Sequence, residues 1–235
     1  MNIEELVKED KRRHDIIHAP FNPITGEGSV GERKAVRISD MYPYDMYLPL
    51  PMLSNPFVKE LLHAKSIRNF CFKTFNRYDN ELHEKVARQF MIIRSKHDFP
   101  FHAYAFDEIK NKEGGKNIHF KLSYPQRYLL SILEEMRLTG TPIRIILLKA
   151  RQWGGSTLVQ LYIAWIQLMH KEGWYSVIVA QDGSTSRKIK AMYSKMLDKL
   201  PSWLLGLPAG IQLAFTPYEG SQLDSIITYG KGSNK

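Results

Sequence analysis

The spacing of apolar residues divides the chain into an N-terminal helical region and a second region in which strands and helices alternate. Apolar residues recur at helical spacing in 56–74 and 80–96, which predicts two amphipathic helices. Residues 2–14 are charged and predict a short solvent-facing helix. Between Pro20 and about Pro56 prolines and glycines are dense, which predicts an extended arm over another surface rather than a folded core.

The second region has the pattern of an α/β domain. Residues 102–122 alternate, break at Gly114-Gly115 and alternate again, which predicts a β-hairpin. Unalternating apolar runs at 143–149 and 175–181 are typical of parallel strands covered by helices on both faces. Helices are predicted at 125–138, 155–171 and 184–199, and β-rich runs at 211–215 and 225–229. We therefore expect an N-terminal arm and helical subdomain in 1–97, and an α/β core with a mostly parallel sheet flanked by helices in 98–235.

Composition narrows the classes of protein that fit this pattern. With 43% hydrophobic residues the chain can bury a core, and its net charge of +9 favours a polyanionic partner, nucleic acid first. The single cysteine, Cys71, excludes an intrachain disulfide and fits a reducing compartment. The charged N-terminus is unlike a secretory signal, and the apolar runs are too short to span a membrane, so we expect a soluble protein.

The strongest candidate for chemistry lies between the predicted strand 143–149 and the helix that follows. There the sequence reads Lys-Ala-Arg-Gln-Trp-Gly-Gly-Ser from Lys149 to Ser156. A strand, a tight turn and a helix start form the setting of a phosphate-binding loop, whose usual pattern is Gly-x-x-x-x-Gly-Lys-Ser/Thr. Lys149 stands at the position of the first glycine, and Gly155 stands at the position of the lysine. The two residue types have exchanged places.

This exchanged loop is chemically able to bind a nucleotide. A lysine at position 149 has a stem long enough to reach the β- and γ-phosphates across the loop, and Gly155 leaves room for its approach. The Ser156 hydroxyl can hold Mg²⁺, and Arg151 supplies a second cation for the transferring phosphoryl group. The alternative is an ordinary strand–turn–helix, in which Ser156 or Thr157 caps the helix. Trp153 either packs under the loop or lies near the nucleotide.

Two flanking segments have the order expected around such a loop. Upstream, Gln126 falls in the first turn of a helix, and its amide suits the N7 and N6 edge of adenine while Tyr124 can stack on the base. Downstream, a polar turn at Asp182 follows the second apolar run, where open α/β sheets place ligands. Each segment is also consistent with a simple helix start or a capped turn.

Taken together, residues of about 115–203 resemble the ATPase domain of tailed-bacteriophage large terminases, which has a P-loop NTPase-type fold. The resemblance is carried by the runs IHFKLSYPQR, LLKARQWGGST and VIVAQDGSTSRKIKAMYSKMLDKLP. The family has an adenine-recognising glutamine, a loop of the form Ser/Ala-Arg-Gln-x-Gly-Lys-Ser/Thr-Thr, and a polar turn before a helix that ends in Leu-Pro. Some terminases carry the lysine at the start of the loop, as Lys149 does.

The resemblance implies ATP and Mg²⁺ as cofactors, with Ser156 as the metal ligand and Lys149 and Arg151 as catalytic residues. The implied nucleotide-binding residues are Tyr124, Gln126, Lys149, Ala150, Arg151, Gln152, Trp153, Gly154, Gly155, Ser156 and Thr157. It further implies double-stranded DNA, a terminase small subunit and the portal of a procapsid as partners, and a homo-oligomeric ring in the full-length protein. Its location is then the cytoplasm of the bacterial host, at the portal.

The family's apolar strand ending in Asp-Glu, which holds Mg²⁺ through water and activates the attacking water, does not follow the loop here. Asp107-Glu108 lies upstream, within the predicted hairpin. We therefore expect a fragment, a truncated gene product or the first part of a split protein, which binds nucleotide, hydrolyses it poorly and has no nuclease activity. The competing hypotheses are a helicase-like DNA-dependent ATPase and a degenerate P-loop domain that binds DNA or a partner without turnover. A basic helix face that begins at Arg187 is either solvated or a contact for DNA.

Overall fold

The protein is a mixed α/β chain in which helices predominate. The computed structural model describes residues 2–111, 114–148, 152–170, 176, 179–180, 182–198, 200–206, 211–217 and 225–231. The helices are α1 (Ile3–His18), α2 (Leu50–Leu53), α3 (Pro56–Ala64), α4 (Ile67–Phe75), α5 (Asn80–His97), α6 (Phe99–Phe106), α7 (Tyr124–Leu138), α8 (Gly155–Met169) and α9 (Gly183–Asp198), with a 3-10 turn at Ser202–Leu205. The strands are β1 (Arg33–Val36), β2 (Met46–Pro49), β3 (Glu108–Ile109), β4 (Ile118–His119), β5 (Ile211–Pro217) and β6 (Ser225–Lys231).

The strands of the described residues form three antiparallel pairs. β1 pairs with β2, β3 with β4, and β5 with β6, with Arg33 opposite Pro49 and Ile211 opposite Lys231. The β-rich runs predicted at 211–215 and 225–229 are therefore strands. No parallel pair occurs in the part of the chain that the structure describes, so the mostly parallel sheet predicted from the sequence is not found there.

The apolar run predicted as the first parallel strand has no sheet partner in the described region. Residues 143–148 lack regular structure, and Ile146 and Leu148 are 101% and 100% exposed. A parallel strand is stable only when a neighbouring strand supplies hydrogen bonds and helices cover its faces. The predicted neighbour, 175–181, lies largely outside the described residues. The prediction of a strand at 143–149 is not confirmed.

The segment predicted as an extended arm contributes to a folded core instead. Ile38, Leu48 and Met52 within it have no exposed surface, and β1 and β2 pair there. The prediction failed because the strands there, β1 and β2, are only four residues long and lie between prolines and glycines, so their alternation is too short to stand out.

The single helix predicted at 56–74 is divided in two at Lys65 and Ser66. Lys65 ends α3 with a left-handed φ of 64°, and the Ser66 hydroxyl caps α4. The Asp40 carboxylate strengthens the second start, since it accepts hydrogen bonds from the first two backbone N–H groups of α4 at 2.7 and 2.8 Å. The other helices, α5, α7, α8 and α9, lie within two residues of their predicted bounds.

The predicted hairpin at 102–122 is shorter than its pattern indicates. Its first five residues belong to α6, which has Pro100 in its first turn and buries Phe99, Phe101 and Ala103. Only β3 and β4 remain as strands, joined through Gly114-Gly115, where φ is 87° and 84°. The strand predicted for residues 102–106 is therefore wrong. The short helix α6 is buried on most of its faces, so its sequence lacks the helical spacing of apolar and polar residues that would have identified it.

Buried apolar side chains form two main clusters, and Asp98 lies between them along the sequence. One cluster is drawn from 38–93 and the other from 99–196. The buried Asp98 carboxylate accepts hydrogen bonds from Arg33 at 2.8 and 3.0 Å and from Arg94 at 3.2 Å. Burial opposes ionisation of Asp98, but the two guanidinium groups outweigh it and hold its pKa below the usual value. The domain boundary at 97/98 stays a prediction.

Candidate functional site

Gln126 joins the start of α7 to the loop that precedes α8. Its Oε1 accepts a hydrogen bond from the Ser123 backbone N–H at 2.8 Å, as in a capping box. Its Nε2 donates to the carbonyl oxygens of Trp153 at 3.3 Å and Gly154 at 3.1 Å. Gln126 is 4% exposed, so the amide predicted to contact adenine is engaged with backbone on both ends. One acceptor lone pair of Oε1 is left for a ligand.

The loop before α8 is held in a conformation that requires glycine at position 154. Gly154 has a φ of 80°, and Gln152 beside it has a φ of 66°. A β-carbon at position 154 would lie 2.5 Å from the Gln126 Nε2 atom. The glycine therefore serves both the left-handed backbone and the close approach of the glutamine.

Trp153 covers the residue that stands where a phosphate loop usually has its lysine. A β-carbon on Gly155 would lie 2.7 Å from the Cζ2 atom of the Trp153 indole. The indole thus occupies the space beside Gly155 through which Lys149 is predicted to reach the phosphates. Of the two positions considered for Trp153, the structure places its ring against the start of α8. A lysine at position 155 would require this ring to move.

A cavity of about 500 Å³ lies beside this loop. The residues of the loop and its flanking helices that line it are Gln126, Gln152, Trp153, Gly154 and Thr157. The apolar side chains on its wall include Phe120, which follows β4, and Met192 and Met196 of α9. Four lysines also line it, namely Lys110, Lys121, Lys188 and Lys195. Among its described lining residues, Glu108 is the one carboxylate. The cavity therefore combines an apolar wall with an excess of positive charge.

The structure brings only part of the predicted nucleotide site together. Tyr124 lies outside the lining of the cavity, half-buried with its ring centroid 6.0 Å from the Arg127 guanidinium. Ser156 is exposed on the first turn of α8 and is likewise not a lining residue. The three residues that begin the loop, Lys149, Ala150 and Arg151, lie outside the described residues.

Two lysines of α9, Lys188 and Lys195, line the cavity, although the sequence pattern predicted only a solvated or DNA-contacting face there. Lys188, Met192, Lys195 and Met196 follow one another at intervals of four, three and one residues, so they share one helical face. Since the two methionines line the cavity, the lysines beside them reach its rim. This spacing of lysines and methionines on one helical face was the feature of the sequence that could have indicated their place in the site.

Asp182 acts as a helix cap, in agreement with the simpler interpretation of its turn. Its carboxylate accepts hydrogen bonds from the Ser184 hydroxyl at 2.7 Å and from the Thr185 backbone and hydroxyl at 2.8 and 2.9 Å. These bonds, the one from Ser184 first, hold the pKa of Asp182 well below its usual value. All are made at the exposed start of α9.

A second polar cluster, formed by Ser95, His102 and Asp107, is buried and is not part of the cavity lining. The Ser95 hydroxyl is hydrogen-bonded to His102 Nδ1, and His102 Nε2 lies 3.7 Å from the Asp107 carboxylate. Burial, with a smaller effect of His170, lowers the pKa of His102 to about 3, and burial raises that of Asp107 well above its usual value. The three side chains are 0–2% exposed, which fits a packing role for this histidine.

Comparisons with known proteins do not extend these observations. No protein-family model matches the chain, and neither a characterised protein nor a solved structure matches it. Within the described residues, no three or more histidine, cysteine, aspartate or glutamate side chains are grouped so as to hold a metal ion. The helices of the same residues include none with the length and apolar character needed to cross a membrane.

Proposed function

We propose that this chain is the nucleotide-binding part of a viral DNA-packaging ATPase of the terminase large-subunit type, in which ATP hydrolysis is coupled to translocation of double-stranded DNA into a procapsid. The observation that carries the proposal is the cavity beside the loop at 152–154. Its volume of about 500 Å³ is within the usual range of small-molecule sites. Its apolar wall fits a base and sugar, and its lysines fit phosphates.

The chain's own residues divide the work of binding. The first backbone N–H groups of α8 have no partner within the helix and face an anion favourably, as does the positive end of the helix dipole. Lys188 and Lys195 add charge from α9, while Phe120 and Met192 exclude water from the base. Bound Mg²⁺ would neutralise charge on the β- and γ-phosphates. Ser156, the hydroxyl that the resemblance implies for it, is exposed at the helix start beside the cavity lining residue Thr157.

A binding domain without turnover is the second candidate, and Trp153 favours it. Its indole lies against Gly155, in the space that a lysine at position 155 would need, so the loop in this conformation has no room for the usual phosphate-loop lysine. In either case we expect hydrolysis to be slow, because the described cavity lining offers only Glu108 as a carboxylate. Robust Mg²⁺-dependent hydrolysis that is lost in Lys149→Ala would contradict this expectation.

The proposal is tested by titrating the full chain with MgATP in a calorimeter. The variant Lys188→Gln/Lys195→Gln removes two charges from the cavity, and Lys8→Gln/Lys11→Gln removes two from the exposed helix α1. A charge-assisted hydrogen bond contributes about 1.5–3 kcal/mol, so losing either contact weakens binding about tenfold or more. We expect this loss in the α9 variant alone. Lys149→Ala and Arg151→Ala extend the series to the start of the loop.

Two results would overturn the proposal. One is no detectable binding of MgATP by the wild-type chain at millimolar concentration. The other is an equal affinity in the α9 variant and the α1 control, since the cavity would then not be the place where the phosphates bind.

A further inference from the structure

A second basic surface lies in the N-terminal half, away from the loop before α8. It is a groove of about 720 Å³ between β1, α3 and the residues that follow each of them. We call it the basic groove, and its lining residues are Lys34, Val36, Arg37, Ser39, Leu53, Lys59, Leu62 and Lys65. Half of these residues carry positive charge, and none carries negative charge.

The groove is held in shape by contacts that do not use its lysine side chains. The Asn55 side chain caps α3 through the backbone N–H groups of Phe57 and Val58, at 3.0 and 3.3 Å. At the other end of α3, the Lys65 carbonyl accepts hydrogen bonds from the Ser39 backbone at 3.0 Å and from its hydroxyl at 3.3 Å. The backbone around the groove is thus fixed while the lysine side chains stay exposed.

Most of the charge in the basic groove is uncompensated. Arg37 pairs with Asp45 at 2.8 Å, but Lys34, Lys59 and Lys65 have no carboxylate within salt-bridge distance in the described part of the chain. Three like charges beside an apolar floor repel one another, and an anionic ligand removes that repulsion. Lys65 has a left-handed φ of 64°, a conformation that costs a lysine more than a glycine or an asparagine. No contact of its side chain in the described residues explains why a lysine stands there.

We propose that the basic groove binds the phosphate backbone of duplex DNA. Lysines are flexible point charges that accept a regularly spaced row of phosphates without fixing a sequence. The one hydroxyl of the groove, that of Ser39, already donates to Lys65, so directional hydrogen bonds for reading bases or a peptide backbone are scarce. The apolar floor of Val36, Leu53 and Leu62 is suited to lie against deoxyribose.

This inference rests on the proposed function in one respect, namely that duplex DNA is taken as the polyanion that binds in the groove. It does not require the chain to bind a nucleotide. The test is therefore run on the full chain without nucleotide, by fluorescence anisotropy with a labelled 30-base-pair duplex at several salt concentrations. The groove variant is Lys34→Gln/Lys59→Gln/Lys65→Asn, in which asparagine suits the left-handed backbone. The matched control, Lys8→Gln/Lys11→Gln/Lys85→Gln, removes three exposed lysines of α1 and α5.

The expected result is a loss confined to the groove variant. Each phosphate contact contributes about 0.9 to the slope of log affinity against log salt, so removing three lowers the slope by about 2.7. We also expect duplex affinity near 100 mM salt to fall at least about tenfold in this variant, with both variants unfolding like the wild type.

Equal slopes in the two variants would refute the groove as the contact surface. So would tighter binding of a polyglutamate peptide than of the duplex, since that identifies an acidic protein as the occupant. If MgATP fails to bind in the calorimeter while the duplex result holds, only the nucleotide part of the proposed function fails.

Discussion

The hydrogen bonds of Gln126 give the most direct test of how the candidate site is built. In Gln126→Leu the shape of the side chain is nearly kept, while the bonds to the Ser123 N–H and to the carbonyls of Trp153 and Gly154 are lost. Each such bond contributes a net of about 0.5–1.5 kcal/mol, and three backbone groups are left without this partner. Leucine gains some apolar burial in return, so we expect the free energy of unfolding to fall by about 2–4 kcal/mol.

A matched control is available in α8. Gln160 is also buried, at 3% exposed, but its Oε1 has no hydrogen-bond partner in the described residues. Because no such bond is lost there, Gln160→Leu should change the free energy of unfolding by no more than about 0.5 kcal/mol, or increase it. Urea unfolding followed by circular dichroism measures both variants. If Gln126→Leu is as stable as the wild type, or if both variants lose the same amount, the connecting role of Gln126 is refuted.

The same variant separates structural support from adenine recognition. If Gln126 only holds the loop, its replacement weakens ATP and GTP binding by the same factor. If the amide also contacts the base, the loss is larger for ATP, because the remaining lone pair of the Gln126 Oε1 can accept a hydrogen bond from N6 of adenine but not from O6 of guanine, which is itself an acceptor. Calorimetric titration with both nucleotides distinguishes the two outcomes.

Three further substitutions test other parts of the fold. Asp98→Asn leaves two buried arginines without their carboxylate and should reduce the free energy of unfolding by about 3–5 kcal/mol in urea titrations at neutral pH. Asp107→Asn replaces a buried carboxyl whose pKa is raised, and it should increase stability at pH 8 but not at pH 4 in thermal melts. Gly155→Ala should shift the emission of Trp153, because the new methyl group meets the indole. That shift should be missing when Trp153 is phenylalanine.

The two aspartates differ in the sign of their pH dependence. The folded pKa of Asp98 is below its unfolded value, so its contribution to stability is present above the unfolded pKa and is lost as pH falls through the folded pKa. The folded pKa of Asp107 is above its unfolded value, so its contribution is present below the unfolded pKa and is lost as pH rises through the folded pKa. If either variant keeps the wild-type pH profile, the corresponding assignment is wrong.

The sequence was sufficient for elements that are fixed by their own residues. α5, α7 and α8 have apolar residues at helical spacing and clear starts, such as Asp79 before α5 and the Ser123–Gln126 pair at α7. The break at Lys65 was not visible, because it depends on the Asp40 carboxylate, which lies 27 residues before the N–H group of Ile67 that it binds. The local spacing of apolar and polar residues does not show contacts between residues that far apart in the sequence.

The candidate site divides in the same way. The importance of Gln126 and of the glycines near it could be inferred from residue type and position. Which partners they have could not, because the position of the Trp153 indole over Gly155 depends on packing between the loop and α8. Sequence spacing placed Lys188 and Lys195 on one helix face, but only the position of that face beside the loop makes them part of the cavity.

The buried Asp98 has a practical consequence for choosing where a fragment of this protein should end. A fragment that ends at residue 97 would keep Arg33 and Arg94 and discard the carboxylate that both of them contact. Two guanidinium groups would then face each other with no counter-ion, and the fragment would fold poorly or recruit an anion from the buffer. Moving the cut even one residue, to include Asp98, keeps the carboxylate that both guanidinium groups contact. The carboxylate contacts of Asp98 therefore lie within residues 33–98, and an N-terminal fragment has to extend at least through Asp98 to keep them.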